Sequence, residues 1–381
     1  MIKNTETDVR VLATDKCWIE GEAVAQLHSV AKLPNVKTAV GMPDIHVGRG
    51  IPVGFAVVTE GLIYPHLIGN DIGCGMDFYR TDLELRRVKL DKWVQKLKGL
   101  ESPWNGDRTA WLEQEFAIPT EHDASLGTIG GGNHFAELQC IEETVDKVAC
   151  EKLGINVRKL FLLVHSGSRG LGESIKKKFA EFKLHGLEIG SESATDYLRV
   201  HDNATRWAKA NRSLIANRFL DCLRARGERL FDVDHNFIEL DQTLGADSWI
   251  HRKGASPSNK GPIVIPGSRG TFSYLVQPIC SDVENANSLP HGAGRKWSRS
   301  ECKDRLRNRY TVESLTRTAL GSRVVCDNKN LLYQEAPEAY KDIEVIIGSL
   351  LEMKLITVVA KLRPMITYKL NNDRTKNKTH R

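Results

Sequence analysis

The residues best suited to chemistry sit in short glycine-bounded segments. GNDIGCGM (69–76) places Asp71 and Cys74 three apart, with Gly73 and Gly75 allowing a tight turn. GGGNHF supplies Asn133 and His134, VHSGSRG supplies His165, and DVDHNF supplies His235 and Asn236. Any one of these is more often structural: a turn-capping Asp beside a buried Cys, or a satisfied histidine. Together they offer carboxylate, thiolate and imidazole donors at loop and strand ends, where sites are built. That mixture suits Mn, Zn or Fe rather than Mg or Ca alone. Spacing leaves open whether they converge.

A further group points to phosphate. LPHGAGR (289–295) sets His291 before a Gly-Ala-Gly turn whose N–H groups could cradle a phosphate, with Arg295 to offset its charge. His291 could then act as a nucleophile on phosphorus, although a turn that simply needs two glycines is the plainer reading. PGSRGTFSY adds Ser268, Arg269 and Ser273, and HRKGAS adds Arg252 and Lys253. Basic residues in such loops (Arg169, Arg252, Lys253, Arg269, Arg295) fit polyphosphate or RNA-backbone contacts. No GxxxxGK[ST] loop occurs, which excludes a standard P-loop NTPase.

The elements that must position these residues read as strands and turns over 1–65, an amphipathic helix over 87–99, and an apolar strand leading to His165. A helical, polar block spans about 173–226, strands and Gly-rich turns return over 228–300, and a helix around 335–351 precedes a final strand. No repeat or linker divides the chain. The expected fold is α+β: one β-rich catalytic domain over 1–369, with the 173–226 helices as an insertion. The tail 370–381 is expected to be disordered and basic.

Composition bounds the rest. With 381 residues, 41% hydrophobic and 27% charged, the chain can bury a large core and is not a disordered one. It lacks an apolar run of membrane length and an apolar signal core, so a cytoplasmic protein with no membrane partner is expected. The eight cysteines are scattered without a CxxC pair, which excludes a zinc ribbon and leaves any functional cysteine to act singly. The net charge of +6 argues only weakly for nucleic acid, because Asp373–Arg381 holds four basic residues and one acid.

In order along the chain, GMPDIHVGRG, GNDIGCGM, GTIGGGNHFAE, VHSGSRG, DHN, HRKGA, PGSRGTFS and HGAGR resemble the RtcB-type RNA ligases, from about Gly41 to Lys369. The resemblance implies ligation of RNA 3′-phosphate or 2′,3′-cyclic phosphate ends to 5′-hydroxyl ends, with GTP as co-substrate and two Mn²⁺. Asp71, Cys74 and His134 match the ligands of one ion, and Cys74, His165 and His235 those of the other. His291 matches the histidine that becomes guanylylated. Asn133, Phe135, Glu137, His235, Asn236, Pro266, Gly267, Ser268, Arg269, Ser273, His291, Gly292, Ala293, Gly294 and Lys369 match guanine-nucleotide contacts. Two departures stand out: Arg269 replaces an often apolar residue, and the chain continues beyond Lys369, which makes Lys361 a rival for its role. The short length suggests a divergent branch acting as a monomer in RNA repair or tRNA splicing. The competing readings are an end-trimming phosphoesterase, which would leave His291 idle, and a non-catalytic RNA-binding accessory protein.

Overall fold

A computed structural model describes residues 7–279 and 283–370. The expected tail therefore lies outside the described residues, apart from Leu370, which closes the last strand.

In chain order the strands begin with β1 (Asp8–Val11), β2 (Val36–His46), β3 (Val53–Glu60), β4 (Leu62–Ile63), β5 (Gly75–Glu84) and β6 (Phe135–Thr144). Next come β7 (Lys159–Ser166), β8 (Leu187–Glu188), β9 (Gly227–Asp234), β10 (Asn236–Leu240), β11 (Ser248–Lys253) and β12 (Ala255–Pro257). The last are β13 (Ile263–Ile265), β14 (Ser273–Pro278), β15 (Ser288–Pro290), β16 (Arg323–Cys326) and β17 (Ile356–Leu370). The α-helices are α1 (Gly21–Ala31), α2 (Leu90–Lys96), α3 (Arg108–Gln114), α4 (Lys147–Lys152) and α5 (Gly170–Lys178). They continue with α6 (Glu192–Leu223), α7 (Arg299–Leu306), α8 (Lys329–Gln334) and α9 (Ile343–Glu352).

Two sheets carry the architecture. An eight-stranded sheet has the order β13-β14-β17-β6-β7-β5-β9, with β16 pairing with β17 off that path. A five-stranded sheet has the order β1-β2-β3-β11-β10. The chain steps from one to the other between Asp234 and Asn236, at His235. The middle strands are apolar runs: seven of the eight β7 residues, from Leu160 to Ser166, are buried, as expected of strands covered on both faces.

Three sequence expectations change. Residues 1–65 include α1, whose buried Ala23, Leu27, Val30 and Ala31 recur at helical spacing and pack on β2. Helices do fill most of 173–226, yet α6 is no appendage. It starts at Ser191, whose side chain accepts from the Ala194 N–H, and it packs on β5, β6, β7 and β9 with Trp207, Leu214, Ile215 and Phe219 buried. It is a layer of the core. Near the end, the helix expected around 335–351 is the shorter α9, and α8 precedes it as a separate helix. Among the described residues, no helix is long and apolar enough to cross a membrane.

Candidate active site

Sheet register brings the ligand segments together. Phe135 pairs with His165, Met76 also pairs with His165, and Gly75 pairs with both Ser166 and Asp234. The start of β5, the start of β6 and the ends of β7 and β9 therefore share one edge, which places Cys74, His134, His165 and His235 side by side. Gly73 has φ of +70°, and a Cβ there would lie 2.8 Å from the Thr205 Cα of α6. Only glycine fits that turn.

The ligand atoms form two triads that share one sulfur: Asp71, Cys74 and His134, and Cys74, His165 and His235. Cys74 Sγ lies 3.4 Å from His134 Nε2 and 3.2 Å from His165 Nε2. His165 Nε2 lies 3.2 Å from His235 Nε2, and Asp71 Oδ2 lies 2.8 Å from His134 Nε2. These separations match the edges of a coordination shell with bonds of about 2.0–2.3 Å.

Hydrogen bonding shows that the set fits a cation. His134 Nδ1 faces the Ile129 carbonyl at 3.1 Å, and His165 Nδ1 faces that of Asn133 at 3.2 Å. A carbonyl only accepts, so each Nδ1 carries the proton and each Nε2 turns a lone pair inward. Lone pairs thus converge on a sulfur, while the buried Asp71 Oδ1 and His235 Nδ1 find no partner. Burial pushes the Cys74 thiol well up, with the Asp71 charge adding to the effect. Burial also holds His165 and His235 well below the ordinary histidine range, helped by neighbouring imidazoles. For Asp71 burial opposes ionisation, but His134 and Arg169 outweigh it and keep the carboxyl low.

Sequence reasoning missed what braces these loops. Arg212 of α6, fully buried, donates to the carbonyls of Gly73 and Ser166 and to the carboxylates of Asp232 and Asp234. Asn211 donates to the Gly167 carbonyl at 3.0 Å and accepts from the Gly127 N–H at 2.8 Å. One helix turn thus ties together the segments bearing Cys74, His134, His165 and His235.

His291 stands beside this cluster, its ring centroid 4.9 Å from that of His235. Its Nδ1 lies 2.7 Å from Oδ2 of the fully buried Asp44, which fixes the ring and leaves Nε2 for chemistry. Asp44 is part of GMPDIHVGRG, yet sequence gave it no role. Gly294 makes the approach possible, since a Cβ there would lie 2.2 Å from the Asp44 carbonyl oxygen.

A cavity of about 1100 Å³ joins these groups to the glycine turns. Asn133, Phe135, Glu137, Asn236, Pro266–Arg269, Ser273, Gly292–Gly294 and Lys369 all line it. Glu137, its pKa pushed up to about 7 by burial, is hydrogen-bonded by Thr367 and Gln139, and Gln139 reaches Ser273. Lys369 is buried and pairs with Glu335 at 3.1 Å. Arg295 and Arg299 meet the same carboxylate, an organising residue that sequence did not suggest. Lys361 lies elsewhere, paired with Glu344 and packed on the Phe272 ring, so the cavity lysine is Lys369.

The phosphate-contact readings divide. Lys253 and Arg295 line the cavity. Arg252 does not: it is fully buried and engaged by Glu239, the Ser288 hydroxyl and the Asn287 carbonyl, which makes it a core ion pair. Arg169 packs over Gly130 and acts on Asp71 from outside the cavity lining.

The family model described as "tRNA-splicing ligase RtcB" matches residues 26–115 and 104–370. "RNA-splicing ligase RtcB2" of an Escherichia coli strain is 46% identical over 365 residues, covering 95% of each chain. "RNA-splicing ligase RtcB" of Escherichia coli K12 is 29% identical over 409 residues, covering 92% of this chain and 95% of that one. "tRNA-splicing ligase RtcB" of Archaeoglobus fulgidus is 28% identical over 439 residues, covering 91% of each. The chain whose strand edges gather this sulfur-centred cluster beside an aspartate-held histidine belongs to the RtcB family.

Proposed function

We propose that the protein is an RNA ligase joining 3′-phosphate or 2′,3′-cyclic phosphate ends to 5′-hydroxyl ends through GMP carried on His291. The observation that carries this reading is His291 itself: one nitrogen is held by buried Asp44, and the ring lies tilted against that of His235 of the donor cluster, 4.9 Å between centroids. A phosphoesterase that only trims ends has no use for that residue.

His291 Nε2 attacks the α-phosphorus of GTP. A P–N bond forms and pyrophosphate leaves, while Asp44 stabilises the ring as it gains charge. A 2′,3′-cyclic phosphate end is first opened by water, which breaks the P–O2′ bond and leaves a 2′-hydroxyl and a 3′-phosphate; an oxygen of that 3′-phosphate then takes GMP, breaking the P–N bond. The 5′-hydroxyl attacks the activated 3′-phosphorus, forming the phosphodiester and releasing GMP. The guanine end falls to Glu137, Ser273 and Lys369, and the glycine turn 292–294 with Arg295 faces the phosphates. Asp71, Cys74, His134, His165 and His235 would hold two Mn²⁺, with Cys74 shared. Bound there, such ions supply charge neutralisation to phosphate oxygens. The reading is of a monomeric, cytoplasmic enzyme. Its role is RNA repair or tRNA splicing.

Incubation with α-labelled GTP and Mn²⁺ should label the protein through a bond stable to alkali and labile to acid. Equal labelling of wild type and His291→Ala would overturn the assignment. Sealing of matched ends without GTP would favour a different chemistry.

A further inference from the structure

The cavity has an end that the nucleotide chemistry leaves unused. Across the large sheet the residues run from Ser273 and Lys369 on β14 and β17, through Glu137 on β6, to the ligands at the edges of β6, β7, β5 and β9. Past β9 the chain enters β10 and β11, where the short turn Pro65–Ile68 packs on β11 and on the turn Ala180–Lys183. Here the cavity is lined by His66, Lys176, Lys183 and Lys253.

Lys253 sits close to the chemistry. Its stem crosses Gly69, where a Cβ would lie 3.2 Å from Lys253 Cε, two residues before Asp71. The next residue, Gly254, abuts His291, with a Cβ position 2.9 Å from Cε1. Among the described residues the Lys253 ammonium reaches only the Ile51 carbonyl, at 3.5 Å. Of the lysines closing α5, Lys177 pairs with Glu173 and Lys178 with Asp196, which leaves Lys176 toward the cavity. Among the described residues no carboxylate pairs with Lys176, Lys183 or Lys253, and the buried His66 Nδ1 has no partner. The lysines act on one another instead: burial and Lys176 lower Lys253 to about 7, and burial with Lys183, Lys176 and Lys253 lowers His66 to about 4. Phe179, buried against Tyr197, anchors the segment that carries them. Cations held together without a counter-charge, beside the nucleophile and a metal-ligand loop, mark a place for an anion.

We propose that His66, Lys176, Lys183 and Lys253 form a recess that seats backbone phosphates of the RNA strand and feeds its end toward Asp71 and His291. This rests on the reading of the substrate as RNA. The same chemistry could serve the outer phosphates of GTP, so the test separates the two sources.

The test uses Lys176→Gln/Lys183→Gln, both exposed positions, in the full chain. The probe is a short single-stranded RNA with a 3′-phosphate, bound without GTP across a salt series. Each phosphate contact on a single strand contributes about 0.7 to the slope of log affinity against log salt, so the double variant should lose about 1.4. The loss should be equal for RNAs of different sequence. Guanylylation of His291 and its KM for GTP should stay at wild-type values, while KM for RNA in sealing rises. An unchanged salt slope would overturn the proposal, as would a raised KM for GTP with RNA affinity intact. Because binding is measured without nucleotide, absence of a GMP adduct in wild type would count against the ligase reading alone.

Discussion

His291 Nε2 owes its direction to the 2.7 Å contact between Nδ1 and Asp44, and this makes Asp44 a positioning residue. Asp44→Asn should slow formation of the GMP adduct by about two to four orders of magnitude, the range for a lost acid–base partner. Metal content, measured by elemental analysis, should not change. Lys369→Ala should weaken GTP binding and Lys361→Ala should not, since only the former lines the cavity. Glu137 adds a pH dependence. Burial raises its pKa from 4.5 to about 7, so the folded state prefers the neutral acid. Its contribution to the stability of the free enzyme is therefore full below about pH 4.5 and is lost as pH rises through about 7. On the proposed role of Glu137 as a guanine contact, guanine N–H donors would favour the carboxylate, so nucleotide affinity should rise from about pH 6 to about pH 8. A titration in which Glu137→Gln shows the same pH slope as wild type would remove Glu137 from that role.

At the scale of elements, the sheet edge was legible and its bracing was not. Gly-flanked Cys74, His134, His165 and His235 read as a possible ligand set because turns that end strands leave a compositional mark. The convergence itself comes from the β6-β7-β5-β9 register, which pairs residues far apart in sequence. Asp44, Arg212 and Glu335 left no such mark. Their roles arise only from what folding brings to them. Arg252 was misread for a specific reason: neighbours on a strand face opposite ways, so Lys253 turns to the cavity while Arg252 enters the core. The helical block was misjudged because its polar residues suggested a surface, whereas Arg212 and Asn211 are buried and bonded. Arg212→Leu should cost about 3–5 kcal/mol, because Asp232 and Asp234 lose their buried partner. Denaturant unfolding measures that loss. Metal retention on dialysis should fall in parallel as the ligand loops loosen.

Over the whole molecule, the cavity draws on both sheets and on α5, so binding there should couple to global stability. Chelation of Mn²⁺-loaded protein should lower Tm, and GTP should raise it in a concentration-dependent way. Unchanged melting in both cases would separate the cluster from the fold. The fifteen residues of β17 pair with β6, β14 and β16, and the strand delivers Thr367 and Lys369 to the cavity. Synthesis runs from the N-terminus, so Asp44, Cys74 and His291 all emerge from the ribosome before the strand that completes this end of the cavity. A nascent or prematurely terminated chain lacking β17 has the proposed nucleophile but lacks Thr367 and Lys369 of the cavity wall. On the proposed function, catalytic competence should arrive late in translation, and incomplete copies should be inert.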